Sequence, residues 1–311
     1  IIRADGSPKL AMLSLVSGAV FNTVMDPVFI FLFHWGVQGA ALATILGQLL
    51  SLLISLSYLK KWKSFTLTLK DCRFSLRHCR AIVPLGISSF INQMATVIMT
   101  AVINNTLTAY GAASVYGTDI PLAVMGITLK VNQIFIFIVV GIATGAQPII
   151  GFNRGANRLD RVMQAFRICV ISAGIAAVAA FAVFQLAPMS IVRLFGAQSD
   201  LYNEFAVKSF RIYLLFCILN GFQTVASIFT QAIERPAQAM MLSLSRQIVF
   251  LVPAVVLLPK FIGIEGVLWA GPVADGLAFL LALGVTIAEI KNLKIAHQPE
   301  TKATEALPLS T

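Results

Sequence analysis

The sequence predicts an all-α integral membrane protein, and three observations predict it. Hydrophobic residues make up 58% of the 311 residues and charged residues only 12%, about half the charged share of a soluble domain. The apolar residues lie in long blocks separated by short polar stretches, and eight blocks reach the ~20 residues that a bilayer core requires. Most of the basic residues lie in the connecting segments, and these concentrate on one side of the chain's successive crossings.

The eight spans fall near residues 10–33, 37–59, 82–108, 119–149, 162–187, 203–230, 237–258 and 264–290. With the first turn placed in the cytoplasm, the inside segments hold sixteen Lys and Arg, from Arg3 and Lys9 through Arg154, Arg158 and Arg235 to Lys302. The outside segments hold only Arg193 and Lys260. That bias sets the orientation and supports the count, since a missed helix would scramble it. The longest polar stretch, Lys60 to Arg80, has Asp71 as its only acid and separates two spans from six. After Lys294 the chain turns polar and is expected to be a disordered cytoplasmic tail.

A net charge of +10 would suit nucleic acid, but the cations lack the interleaved aromatics of a base-stacking platform. Cys169 and Cys217 lie in apolar runs, while Cys72 and Cys79 flank His78 at a spacing that fits no zinc ligand set; all four are read as reduced thiols. The 22 Phe and nine Met residues are read mainly as packing and lipid-facing groups. No phosphate loop, nucleophile elbow or catalytic carboxylate pair occurs at motif spacing, so an enzyme is not expected and no cofactor is implied.

An internal repeat organises the chain. Met12-Leu13-Ser14-Leu15 recurs as Met241-Leu242-Ser243-Leu244, and Gly36-Val37-Gln38-Gly39-Ala40 recurs in pattern as Gly263-Ile264-Glu265-Gly266-Val267, at offsets of 229 and 227. The first hairpin therefore corresponds to the last. Four spans precede the last hairpin, so symmetry expects four more before the first, roughly 150 residues in all. The chain begins at Ile1 and is read as N-terminally truncated, with eight of an expected twelve helices. Six helices per half make the two halves parallel repeats with a cavity between them.

Ionisable groups inside a bilayer cost about 2.5 to 3.5 kcal/mol on insertion scales, so each calls for a role. Asp26 lies deep in the first span, with Asn22 four residues earlier on the same helix face and Pro27 removing a backbone donor beside it. Thr44 lies as far after the turn near Trp35 as Asp26 lies before it, each about 14 Å away at 1.5 Å per residue. A carboxylate, an amide oxygen and a hydroxyl at one depth suit Na⁺, and a buried carboxylate alone suits a proton; helix pairing is the competing role. The repeat puts Val249, Pro253 and Gly271 at the corresponding positions, so the scaffold does not require the trio. In the later spans Asn92, Gln93, Asn132, Gln133, Asn220 and Gln223 are candidates for a substrate cavity or for interhelical bonding, with Lys130 nearby, and Arg246 and Asp275 are candidates for a mutual pair.

Gly145-Ala146-Gln147-Pro148-Ile149-Ile150-Gly151-Phe152-Asn153-Arg154-Gly155-Ala156 resembles the junction of the eighth and ninth helices in the MATE (multidrug and toxic compound extrusion) family. Arg3-Ala4-Asp5-Gly6-Ser7-Pro8 and Met25-Asp26-Pro27 resemble the same family's fourth-to-fifth helix turn and fifth helix. The resemblance implies a MATE-type two-lobed helical bundle. On it, 1–60 is the remainder of the N-lobe (family helices 5 and 6), 61–80 the cytoplasmic interlobe linker, 81–290 the C-lobe (helices 7 to 12) and 291–311 the cytoplasmic tail. It implies secondary active multidrug efflux, in which organic cations and drugs leave in exchange for Na⁺ or H⁺ by alternating access. Asn22, Asp26 and Thr44 fall on the family's N-lobe cation-site positions, whose other acid belongs to the first helix. Asn92 and Gln93 stand where the NorM branch carries an acid, which points to the DinF-like or MepA-like branch. The expected protein is a monomer in the plasma (inner) membrane with a cytoplasmic C-terminus. The competing functions are a lipid-linked sugar flippase or polysaccharide exporter, which would need several cavity cations, and a non-transporting receptor or scaffold.

Overall fold

The computed structural model describes residue 2 and residues 7–58, 76–196 and 199–305, with side chains described for all of these except 76–82, 84–86, 88, 89 and 294–305. Every regular element among the described residues is a helix. The chain divides into two compact units, Ile1–Cys79 and Arg80–Thr311. Most of the expected linker at 61–80, including Cys72 and the side chain of Cys79, lies outside the described residues.

The first unit is a helical hairpin. Helix α1 (Pro8–Pro27) opens with a proline in its first turn, where the missing amide hydrogen costs nothing. Pro27 closes it, and the chain widens into a π-helical stretch, Val28–Leu32, with Phe33 N donating to Val28 O and Trp35 N to Phe29 O. Phe29, Phe33 and Trp35 cluster at the tip, with ring centroids 5.3–5.9 Å apart, as aromatic residues do at a membrane interface. Helix α2 (Gly36–Ser57) returns alongside α1.

The second unit packs α3 (Leu76–Ala112), α4 (Asp119–Gly155), α5 (Leu159–Leu186), the short α6 (Pro188–Leu194), α7 (Asp200–Tyr213) and α8 (Cys217–Ala232) with a last hairpin. One arm of that hairpin is α9 (Pro236–Leu244), a π stretch Ser245–Leu251, α10 (Val252–Leu257) and α11 (Pro259–Ile262); the other is α12 (Glu265–Glu305). Its core is built from rows four residues apart: Val131, Phe135, Val139 and Ala143 on α4, Cys169, Ala173 and Ala177 on α5, and Ala270, Ala274, Ala278 and Ala282 on α12. Small residues let helices approach closely where lipid supplies no hydrophobic drive for packing. Large apolar side chains such as Phe137, Ile175 and Leu280 face outward, as they would toward lipid.

The turns of the two hairpins share two glycine features. Gly36 and Gly263 both adopt positive φ, +53° and +64°, a conformation that favours glycine. Three residues on, Gly39 and Gly266 face the preceding arm so closely that an added Cβ would lie 2.9 Å from Phe29 Cβ and 2.5 Å from the Leu258 carbonyl carbon. The repeated glycine spacing in the sequence thus marks two features common to both turns, a positive-φ glycine and a close approach three residues later.

Among the described residues, six helical segments are long and apolar enough to cross a membrane: Pro8–Leu32, Gly36–Ser57, Asp119–Gly155, Leu159–Leu186, Pro236–Ile262 and Glu265–Leu293. The span expected near 203–230 is instead a broken one, α7 and α8 meeting at 49°. Leu214–Phe216 contains no proline or glycine; the break accompanies burial of Tyr213 against Gly271 of α12, where an added Cβ would lie 2.8 Å from the ring. The span expected near 82–108 corresponds to α3, part of whose side chains lie outside the described ones. The last helix continues to Glu305, past the expected start of a disordered tail at 294.

Candidate functional site

Two polar constellations are set into these apolar helices, one in each unit. The first is built on a row of residues spaced by four on α1: Ser14, Gly18, Asn22 and Asp26. Ser14 Oγ donates to Ser51 O and Ser51 Oγ donates back to Ser14 O, each at 2.7 Å. One turn on, Gly18 and Gly47 let the backbones touch: a Cβ on Gly18 would lie 2.5 Å from Gly47 O, and one on Gly47 would lie 2.7 Å from Gly18 O. That close approach brings Asn22 against α2. Its Nδ2 lies 3.3 Å from Asp26 Oδ1 and 3.3 Å from Thr44 Oγ1, donating to both. The Thr44 hydroxyl donates in turn to Ala40 O at 3.0 Å, so its oxygen is held toward Asn22.

The three residues named from the sequence therefore lie together, but in a different register. Thr44 is level with Asn22, and no direct hydrogen bond joins Thr44 to Asp26 among the described residues. The π stretch explains the shift. Its i to i+5 bonds advance less per residue than an α-helix, so Asp26 lies nearer the turn than nine α-helical residues would place it. The glycines that fix the approach were not singled out from the sequence, although Gly39, Ala43 and Gly47 carry the small-residue spacing of a close helix contact.

The second constellation is a cavity of about 570 Å³ in the second unit, walled by α3, α4, α7, α8, α9 and the Ser245–Leu251 stretch. Of the residues expected there, Asn132, Gln133, Asn220 and Gln223 line it; Asn92 and Gln93 do not, and Thr96 and Thr100 on the same helix take that place. Lys130 is exposed outside the lining. Gln223 is buried and donates its Nε2 to Leu242 O at 2.8 Å, while its Oε1 is buried with no hydrogen-bond partner. Asn132 Oδ1 is likewise buried without one. Thr96 Oγ1 donates to Gln247 Oε1 at 3.0 Å, which ties α3 to the π stretch.

Arg246 also lines the cavity, and its Nε donates to Asp275 Oδ1 of α12 at 2.6 Å. Both side chains are largely withdrawn from solvent, at 17% and 4% exposure, so the pairing expected from span depth is a buried one. It sits where the π stretch widens the helix, a common device at functional positions. At the far end of the unit, Lys208 Nζ lies 3.0 Å from Glu204 and 3.6 Å from Glu265, joining α7 to the start of α12.

The family described as MatE matches residues 84–256 of the chain. Over 294 residues the chain is 24% identical to the multidrug export protein MepA of Staphylococcus haemolyticus (strain JCSC1435), covering 94% of this chain and 63% of that protein. It is 25% identical over 283 residues to MepA of Staphylococcus aureus (strain MSSA476), covering 90% of this chain and 60% of the relative. The chain thus spans less than two thirds of the length of these relatives. Its fold is similar to that of a MOP superfamily transporter from Pyrococcus furiosus, with a TM-score of 0.82 at 23% identity over 94% of this chain and 65% of that one. A MATE structure in the straight conformation superposes with a TM-score of 0.83 at 22% identity, over 94% and 65% of the two chains.

Proposed function

The chain belongs to the MatE family, and on that premise we propose that it serves secondary active multidrug efflux, exporting organic cations and drugs in exchange for Na⁺ or H⁺ by alternating access. The observation that carries this reading is the Asp26–Asn22–Thr44 chain of hydrogen bonds within an apolar hairpin. A carboxylate so placed is costly unless it binds something. With its Nδ2 turned toward Asp26 and Thr44, Asn22 keeps its carbonyl oxygen for a cation, and the three side chains together offer the hard oxygens that Na⁺ prefers. A proton on Asp26 would satisfy the same site by neutralising it.

Coupling follows if the cation binds one conformation more tightly than the other, since a ligand shifts an equilibrium only by its differential affinity. The hairpin suits that task because Pro27 and the π stretch beside it loosen one end of α1 while the glycine contact holds its middle. We propose a monomer in the plasma membrane; the distribution of Lys and Arg between its connecting segments supports a cytoplasmic C-terminus. A lipid-linked pyrophosphate would call for several cavity cations. Among the described residues lining the cavity, Arg246 alone is charged, too few cations for a pyrophosphate.

The test is ethidium movement in proteoliposomes under an imposed Na⁺ gradient and, separately, a pH gradient. Movement driven by one gradient and lost in Asp26→Asn identifies the coupling ion and its carboxylate. Undiminished gradient-driven movement in folded Asp26→Asn refutes the role given to Asp26.

A further inference from the structure

The cavity of the second unit has a chemistry of its own, opposite to that of the carboxylate-bearing hairpin. Its one charged lining group among the described residues is the Arg246 guanidinium. Asp275 engages that group through Nε only, and the Nη nitrogens have no protein acceptor among the described residues. A guanidinium held by one edge presents the other as a two-pronged donor, whose geometry matches a carboxylate. Elsewhere in the lining, Gln223 Oε1 is an acceptor without a donor. Its amide orientation is fixed, because Nε2 is committed to Leu242 O. A buried acceptor left unmet is costly, and it marks a place for an N–H or O–H from a ligand. Met99, Leu129, Ile136 and Ile228 supply apolar wall between these polar points.

We propose that this cavity binds an organic carboxylate that also carries a hydroxyl or N–H donor, the carboxylate seated on the Nη edge of Arg246 and the donor on Gln223. Asp275 acts here as a positioning residue. By occupying Nε it turns the guanidinium's remaining edge toward the cavity and keeps the cation from finding another protein partner. The inference deepens the transport reading by giving the second unit a ligand chemistry, and it rests on that reading only for the cavity's place on a transport route.

The probe is 6-hydroxy-2-naphthoate, compared by equilibrium dialysis with its neutral carboxamide and with a naphthyl trimethylammonium salt, on the purified protein in lipid nanodiscs without any ion gradient. The expected result is carboxylate binding tighter than carboxamide binding by about tenfold or more, the usual yield of charge-assisted hydrogen bonds. That preference should fall to near unity in the paired variant Arg246→Gln/Asp275→Asn, which leaves no uncompensated charge. Arg246→Lys, which keeps the charge but loses the fork, should weaken carboxylate binding several-fold, by about three- to tenfold. Gln223→Met should remove the advantage of 6-hydroxy-2-naphthoate over 2-naphthoate while leaving the carboxylate preference in place. Equal affinity for carboxylate and carboxamide, preference for the ammonium probe, no binding of any probe to folded protein, or a carboxylate preference surviving the paired variant each overturns the proposal. Because the readout is equilibrium binding, loss of gradient-driven ethidium movement counts against the antiport reading and leaves this one standing.

Discussion

Asn22 donates to Thr44 across the α1–α2 hairpin at 3.3 Å, from the same amide nitrogen that faces Asp26. The bond makes Asn22 the hub of the site: it joins the two helices and orients the carboxylate at once. Asn22→Ala removes an amide oxygen and both hydrogen bonds while leaving the charge of Asp26 in place. The expected outcome is retained transport with the coupling-ion concentration for half-maximal rate raised about tenfold, the value of one or two lost polar contacts. Initial rates of ethidium movement against Na⁺ concentration or pH check this, and an unchanged half-maximal concentration would remove Asn22 from the site.

Gly47 is expected to govern the same site without touching an ion. A Cβ at that position would lie 2.7 Å from Gly18 O and 3.1 Å from Asn22 Cβ, so Gly47→Ala must part the helices or displace Asn22. Overpacking of this kind costs about 1 to 3 kcal/mol. Lower thermal stability in detergent, together with weakened ion dependence, is the expected pair of effects. Gly284→Ala, where an added Cβ meets nothing within 4 Å, should show neither.

The long apolar runs made the helices legible, and Asp26 was legible because a carboxylate within such a run demands an account. The repeat of Gly36 and Gly39 as Gly263 and Gly266 was also readable, since only a close turn explains glycines at that spacing. What escaped the sequence depends on distant partners. Leu214-Leu215-Phe216 has the composition of a continuous helix, and the break between α7 and α8 involves Tyr213 meeting Gly271 from another part of the chain. Asn92 and Gln93 resemble Asn132 and Gln133 in sequence, but Thr96, which lines the cavity, lies one turn from Asn92 on the same helix face, so the difference is depth along the helix, which nothing local in the sequence sets.

Gly271→Ala tests the origin of that break. The added methyl would lie 2.8 and 2.9 Å from Tyr213 ring carbons and 2.9 Å from the Tyr213 carbonyl oxygen. Destabilisation of about 1 to 3 kcal/mol is expected. Tyr213→Leu in the same protein should recover part of the loss, because it relieves the ring contacts but not the backbone one. A double-mutant cycle on thermal or denaturant unfolding measures the coupling, expected at about 0.5 kcal/mol or more for residues in contact.

Arg246 and Asp275 differ from the surface pair Lys208 and Glu204 in what their removal should do. The surface pair is 39% and 54% exposed, so water replaces a lost partner and little stability is at stake. Arg246 and Asp275 are 17% and 4% exposed, and each is the other's compensation. Arg246→Met strands the Asp275 carboxylate in the core, and Asp275→Leu strands the guanidinium; either should cost about 3 to 5 kcal/mol. The double variant Arg246→Met/Asp275→Leu removes both desolvation penalties with the attraction and should regain most of that loss, since buried pairs often exchange for apolar residues at little net cost. Unfolding midpoints of the three variants decide the matter. A double variant as unstable as either single one would mean that the pair holds α12 to the π stretch by contacts beyond its charges.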